Sequence, residues 1–195
     1  MYNITFVGHD YDLHTDRMNN HSYERNDCTV FAVADYLDIP YSTSHALLKR
    51  HGRKDSHATT NDITVRSVEF ATHSEHMAIC YGDSLKTFIA EVAEYLDNND
   101  IKCLITFRNH IASYKDRTLS DDMCCHYQMN RRKVRQIIIS LDDYLQHEQF
   151  FVKYQKYFHF NKNGVSVYTS AYYSKSYSEM VDLYKDELTA KGYYK

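Results

Sequence analysis

The sequence predicts an α+β domain, and three observations carry that prediction. Apolar residues recur at helical spacing over 30–37 and again over 85–96. A short continuous apolar run over 102–107 reads as a buried strand, and turn signals at Arg108-Asn109 and Asp116-Arg117 return the chain as antiparallel neighbours. No repeat or low-complexity linker divides the 195 residues, a length that suits one domain, so 1–195 is read as a single unit.

Taken in order, residues 4–7 are a short strand candidate, and the polar, His- and Asn-rich approach up to residue 25 lacks periodicity and reads as an ordered loop or arm. Asn26 or Asp27 can cap a helix over 27–38 whose apolar positions are Val30, Phe31, Val33, Ala34 and Leu37. Ile39-Pro40-Tyr41 interrupts it, Ser42 or Thr43 can cap a second helix over 45–50, and Gly52 ends that one. Residues 53–62 are loop-like, and 63–70 suits a strand or a short helix. Ser84 caps a helix with one apolar face (Leu85, Phe88, Ile89, Val92, Ala93, Leu96) that stops at Asn98-Asn99-Asp100. Strands follow over 102–107, 111–114 and 118–119, which puts His110 at a strand end facing a cleft. Beyond Met129 the spacing predicts a helix from the basic run Arg131-Arg132-Lys133 to about residue 145, a hairpin over 158–168 and a helix near 178–190.

Composition narrows the function classes. A formal net charge of -3 and a pI near 6.4 argue against a surface built wholly to clamp a polyanion. No apolar stretch approaches the roughly 20 residues needed to cross a bilayer, and the first residues do not resemble a signal peptide, so no membrane partner is expected and a cytoplasmic location is. Five cysteines, Cys28, Cys80, Cys103, Cys124 and Cys125, are scattered as reduced thiols rather than as a disulfide framework. Neither His73, His76 and Cys80 nor Cys124-Cys125-His126 has paired Cys-x-x-Cys spacing, so no metal or cofactor is expected. Nineteen tyrosines, no tryptophan and one proline suggest an A/T-rich genome, with a virus as one candidate source.

Cys28 stands where a polar stretch becomes an apolar helix. There, unpaired N–H groups and the positive end of the helix dipole favour a thiolate and an oxyanion formed beside it. Acyl transfer through a thiol also needs a base and a group that orients the base; His110 and Asp121 supply those types, with Asp122 as the competing carboxylate. The Asn26 side chain could join the Cys28 amide in holding the oxyanion, and His21 is a second candidate for that task. The structural alternatives are ordinary: Cys28 as a small apolar residue of a buried helix, His110 as a surface histidine at a turn, and Asp116 as a turn residue.

This order of residues and elements resembles the papain-like cysteine peptidase fold. Within it, the chain is most like small bacterial and phage proteins with the pattern Asn-Asp-Cys, apolar helix, Ile-Pro-Tyr, and a second helix ending in Gly-Arg-Lys. Here those are Asn26-Asp27-Cys28, residues 30–37, Ile39-Pro40-Tyr41, His45-Ala46-Leu47-Leu48 and Gly52-Arg53-Lys54, followed by 85–96, 103–107, Asn109-His110, Ile111-Ala112, Asp116 and Asp121. The resemblance covers about 20–125. It implies a papain-like core there, with an N-terminal helical part on an antiparallel sheet and a C-terminal helix and hairpin elaboration over about 126–195. It further implies a cysteine peptidase or isopeptidase, viral or phage in origin, with a protein or peptide substrate and Cys28, His110 and Asp121 as its machinery. The chain departs from the pattern in three places: Ser22 lies where a glutamine usually precedes the cysteine, Asn109 replaces the glycine before the histidine, and Arg117 replaces the glycine after the turn aspartate.

Two other readings remain open. A repurposed papain-like fold would be an inactive binding module. Alternatively, 33–52 is a passable helix-turn-helix whose Ser42, Thr43, Ser44, His45, Lys49 and Arg50 would face DNA, although the net charge makes nucleic acid the less favoured partner. The basic run 131–135 is a solvated helix face or a phosphate contact, and the tyrosines over 154–184 serve packing or a protein partner. Oligomeric state leaves no signature in the sequence.

Overall fold

The computed structural model describes residues 2–121 and 132–154 and a pair of strands at 157–162 and 165–169. The chain runs β1 (Thr5–Val7), α1 (Tyr11–Asn20), α2 (Cys28–Leu37), α3 (Tyr41–Arg50), α4 (Asn61–Thr72) and β2 (His76–Cys80). Next comes a helical stretch composed of α5 (Leu85–Phe88), a π-helical turn at Ile89–Ala93 and α6 (Glu94–Asn98). It continues through β3 (Cys103–Phe107), β4 (His110–Lys115), β5 (Thr118–Ser120), β6 (Gln136–Ser140), α7 (Leu141–Gln146) and α8 (Glu148–Tyr154) to the hairpin β7 (Tyr157–Lys162) and β8 (Val165–Thr169).

The strands form one sheet in the order β1-β5-β4-β3-β6-β2-β7-β8. Neighbours are antiparallel except at one edge, where β1 pairs parallel with β5, so the expected antiparallel sheet is a mixed one. Alternation along the central strands gives each face its own core. Leu104, Ile111 and Ile138 meet α2, Tyr41, Leu48 and Val68 on one side; Ile105, Ala112, Ile137 and Ile139 meet Leu85, Phe88, Val92, Leu96, Tyr144 and Phe151 on the other. At about 1.5–3 kcal/mol for each large apolar side chain removed from water, these two layers hold the helices against the sheet.

Helix α2 is apolar nearly all round, with every residue from Thr29 to Ala34 buried, because it is enclosed by the sheet on one side and by α3 and α4 on the other. It stops at Asp38, whose left-handed backbone (φ 54°) lets the Ile39 N–H return to the Ala34 carbonyl at 3.0 Å. Helix α3 starts earlier than expected, at Tyr41 with Pro40 as its N-cap residue. Ser42 does not cap it; instead the Ser42 N–H donates to Asp16 of α1 at 2.7 Å, so a neighbouring helix satisfies that orphan group.

Two further expectations are corrected, one alternative is decided and one strand is added. The polar approach contains α1, which periodicity missed because Leu13 is its one buried residue; Asp10 caps it by accepting from the Asp12 N–H. Of the two alternatives for 63–70 the helix holds, as part of α4 capped by Thr60. The strand β2 was not anticipated. The helix expected from 131 to 145 is two elements, β6 and then α7: three consecutive isoleucines, Ile137, Ile138 and Ile139, fill a central strand buried on both faces, and Ser140 starts the helix by accepting from the Asp143 N–H at 3.0 Å. The hairpin forms as β7 and β8. The helix expected near 178–190, together with Asp122, Cys124, Cys125, His126 and Arg131, lies outside the described residues. Among the described residues no helix is long and apolar enough to cross a membrane.

Candidate catalytic site

Cys28, His110 and Asp121 meet at one end of the sheet. Helix α2 lies on the Ile111 face and starts at the end where β4 begins and β5 finishes. The β3–β4 turn fixes His110: Asn109 adopts φ 59°, Phe107 and His110 are register partners, and their rings stack with centroids 6.1 Å apart. Since Ser113 pairs with Ser120, one further step sets Ala112 opposite Asp121 and makes His110 the diagonal neighbour on the same face. His110 Nε2 meets Asp121 Oδ2 at 2.8 Å. Strand β1 completes the placement, because the Asp121 N–H donates to the Val7 carbonyl at 2.9 Å. Asp121 is only 1 % exposed, so its bond to the imidazole is shielded from water.

Three non-glycine residues in the turns around β4 take the left-handed backbone that glycine adopts most easily. Asn109 is left-handed, and Asp116 (φ 48°) and Arg117 (φ 61°) both have positive φ, the requirement of the tight turn between β4 and β5.

Electrostatics distinguish Cys28 from the other described thiols. Burial by itself pushes the Cys28 thiol up, but the His110 hydrogen bond and charge, the Ile111 backbone N–H and the Thr29 hydroxyl outweigh it and bring the pKa below its ordinary value. Burial likewise lowers His110, and the hydrogen bonds to Asp121 and Cys28 more than reverse that, raising it to about 9. With Nε2 engaged by Asp121, Nδ1 is the nitrogen left to face the sulfur. A low thiol beside a high imidazole is the condition for a thiolate–imidazolium pair at neutral pH. By contrast, burial pushes Cys80 up to about 11 despite a Gln136 hydrogen bond, and raises Cys103 further.

The two oxyanion candidates are placed elsewhere. Asn26 is exposed and left-handed (φ 55°), and its side-chain amide donates to the Ser56 carbonyl at 3.0 Å. His21 lies over His45 with centroids 4.1 Å apart. Nearer the sulfur, the first turn of α2 leaves the N–H groups of Cys28 and Thr29 without a helical partner, and no acceptor takes them among the described residues.

A second buried constellation adjoins the first, and the sequence reading did not find it. Glu24 accepts from Arg53 at 2.9 Å, from the Ser56 N–H at 2.8 Å and from His45 Nε2 at 2.8 Å, and His45 also faces Asp55 at 3.3 Å. Arg53 and Glu24 side chains are both 0 % exposed. Glu24, His45 and Asp55 have the types and spacing of metal ligands. The donor set does not fit a cation, because a guanidinium already occupies the Glu24 carboxylate and would repel one. These contacts instead tie the segment before Cys28 to the 53–56 loop. Its one trace in the sequence was the Gly52-Arg53-Lys54 run. This network and the packing of α3 on α1 and α2 together take up much of the helix-turn-helix surface: His45 and Ser44 are buried, Ser44 donates to the Val30 carbonyl, Ser42 is held by Asp16, and Lys49 pairs with Asp55.

No protein-family model matches the chain, and no curated protein or solved structure is detectably similar to it.

Proposed function

We propose that the protein is a thiol-dependent acyl hydrolase, most simply a cysteine peptidase or isopeptidase, of papain-like type. What carries the reading is a lowered Cys28 thiol at a helix start, hydrogen-bonded to an imidazole whose other nitrogen is held by buried Asp121 at 2.8 Å. The Cys28 thiolate attacks the carbonyl carbon and forms a tetrahedral oxyanion, for which the Cys28 and Thr29 N–H groups are the donors at hand. The His110 imidazolium gives its proton to the leaving amine as the C–N bond breaks, leaving a thioester. His110 then takes a proton from water, the hydroxide adds to the thioester, and the acid departs with the thiolate restored. A viral protein acting in the cytoplasm of its host is the setting that goes with this reading.

Labelling with a thiol-directed electrophile at neutral pH tests it. Wild type should be alkylated at Cys28 much faster than at Cys80 or Cys103, Cys28→Ala should lose that label, and His110→Ala should slow it about tenfold or more. If Cys28 reacts no faster than an ordinary exposed thiol and His110→Ala changes nothing, the hydrolase reading is abandoned.

A further inference from the structure

Asp27 precedes Cys28 and is the N-cap residue of α2, yet its side chain makes no capping hydrogen bond. An aspartate at that position normally accepts from the second or third N–H of the helix. Here the carboxylate turns away: it pairs with Arg17 Nε of α1 and accepts from the Tyr41 hydroxyl of α3 at 3.0 Å. Tyr41 is fully buried, Arg17 is further fixed by donating to the Glu24 carbonyl, and α1 is held to α3 by Asp16 and Ser42. Neither partner is a loose surface group.

Were the Asp27 carboxylate to swing into the capping position, it would do two things. It would accept from an N–H of the first turn, competing with an oxyanion there, and it would set a negative charge beside the Cys28 sulfur.

We infer that Arg17 and Tyr41 form a clamp that holds Asp27 off the start of α2, keeping the first-turn N–H groups and the Cys28 thiolate free of a competing carboxylate. Arg17, Asp27 and Tyr41 are thus positioning residues for the proposed acyl chemistry, and the inference rests on that reading. The charged and titratable groups that face the clamp are each engaged elsewhere or held at a distance: His110 faces Cys28, Glu24 is taken by Arg53 and His45, Asp16 accepts from Ser42, and the His21 and His45 rings are 5.6 and 6.3 Å from that of Tyr41.

The clamp predicts opposite signs for its two charged members, which a purely structural role would not. The readout is the alkylation rate of Cys28 as a function of pH. Arg17→Ala leaves the carboxylate uncompensated and should slow labelling at pH 7 by about three- to tenfold, with the profile displaced to higher pH. Asp27→Asn removes the carboxylate while Arg17 stays and should displace the profile to lower pH. Arg17→Ala combined with Asp27→Asn should return close to wild type, as should Arg17→Lys alone. Tyr41→Phe, which keeps the buried ring, should move the profile the same way as Arg17→Ala by a smaller step, and it serves if Arg17→Ala does not fold. If Arg17→Ala and Asp27→Asn move it in the same direction, or neither moves it while His110→Ala still does, the clamp is wrong and the hydrolase reading stands. If Cys28 is unreactive even in wild type, the hydrolase reading itself has failed.

Discussion

Two histidine–carboxylate pairs flank the start of α2, and they share a hydrogen-bond length of 2.8 Å: His110 with Asp121, and His45 with Glu24. Their chemistry differs because of what else each group touches. The remaining nitrogen of His110 meets a thiol, while Glu24 is saturated by Arg53, His45 and the Ser56 N–H. A saturated pair is a brace for the loop; a pair with one face toward a nucleophile can move a proton. The difference lies in the third partner and not in the pair.

The largest effect should fall on the brace. Arg53→Ala leaves a buried carboxylate without its guanidinium and should cost about 3–5 kcal/mol of stability, read from urea unfolding midpoints at an unchanged slope. His110→Ala also takes a partner from a buried carboxylate, Asp121, and should cost less than Arg53→Ala because it removes a titratable imidazole rather than a permanently charged guanidinium. A similar loss in both variants would mean that the two pairs do the same job.

The pairs should also fail at opposite ends of the pH range. Burial alone would raise Glu24, but Arg53 and His45 hold its carboxyl down to about 2 against an ordinary 4.5. Its contribution to stability is therefore complete above pH 4.5 and disappears as pH falls toward 2. For His110, raised to about 9 from 6.5, the contribution is complete below pH 6.5 and is lost as pH climbs through 9. Chemical unfolding across pH should show an acid limb that Glu24→Gln abolishes and an alkaline limb that His110→Ala abolishes. A single limb removed by both variants would overturn the assignment.

The third effect concerns the proton-handling pair alone. Asp121→Asn keeps the size of the side chain and removes the charge that raises His110, so Cys28 labelling at pH 7 should fall about three- to tenfold, less than for His110→Ala. Equal losses in the two variants would mean that His110 acts only through Asp121.

Why one constellation was legible in the sequence and the other was not follows from what links their members. Cys28, His110 and Asp121 each sit at the boundary of a strongly patterned element, so a helix start and two strand ends mark them out. Glu24, His45 and Arg53 come from a loop, a short amphipathic helix and the residue after Gly52, and only the packing of α1, α2 and α3 brings them together. The fold followed the same rule. Helices α2 and α5 and strand β3 show in their apolar spacing, whereas α1 buries only Leu13, and the all-apolar centre of β6 has no alternation to separate strand from helix. The placement of Asn26 was missed because its partner, the Ser56 carbonyl, lies 30 residues away.

Asn26 is also the residue between the two constellations, two positions after Glu24 and two before Cys28, and it supports the smallest and most discriminating prediction. Its left-handed backbone (φ 55°) is one that glycine adopts without strain, and its exposed amide makes a single bond to Ser56. In Asn26→Gly the lost hydrogen bond and the relieved backbone nearly offset, so stability should change by no more than about 0.5 kcal/mol. If brace and site are independent once the loop is set, Cys28 labelling should stay within about twofold of wild type, since that change in rate corresponds to only about 0.4 kcal/mol. A tenfold fall in labelling with stability intact would show that the 24–28 segment couples the two pairs, and that the orientation of Cys28 depends on the grip of Ser56 on Asn26 as well as on the helix that follows it.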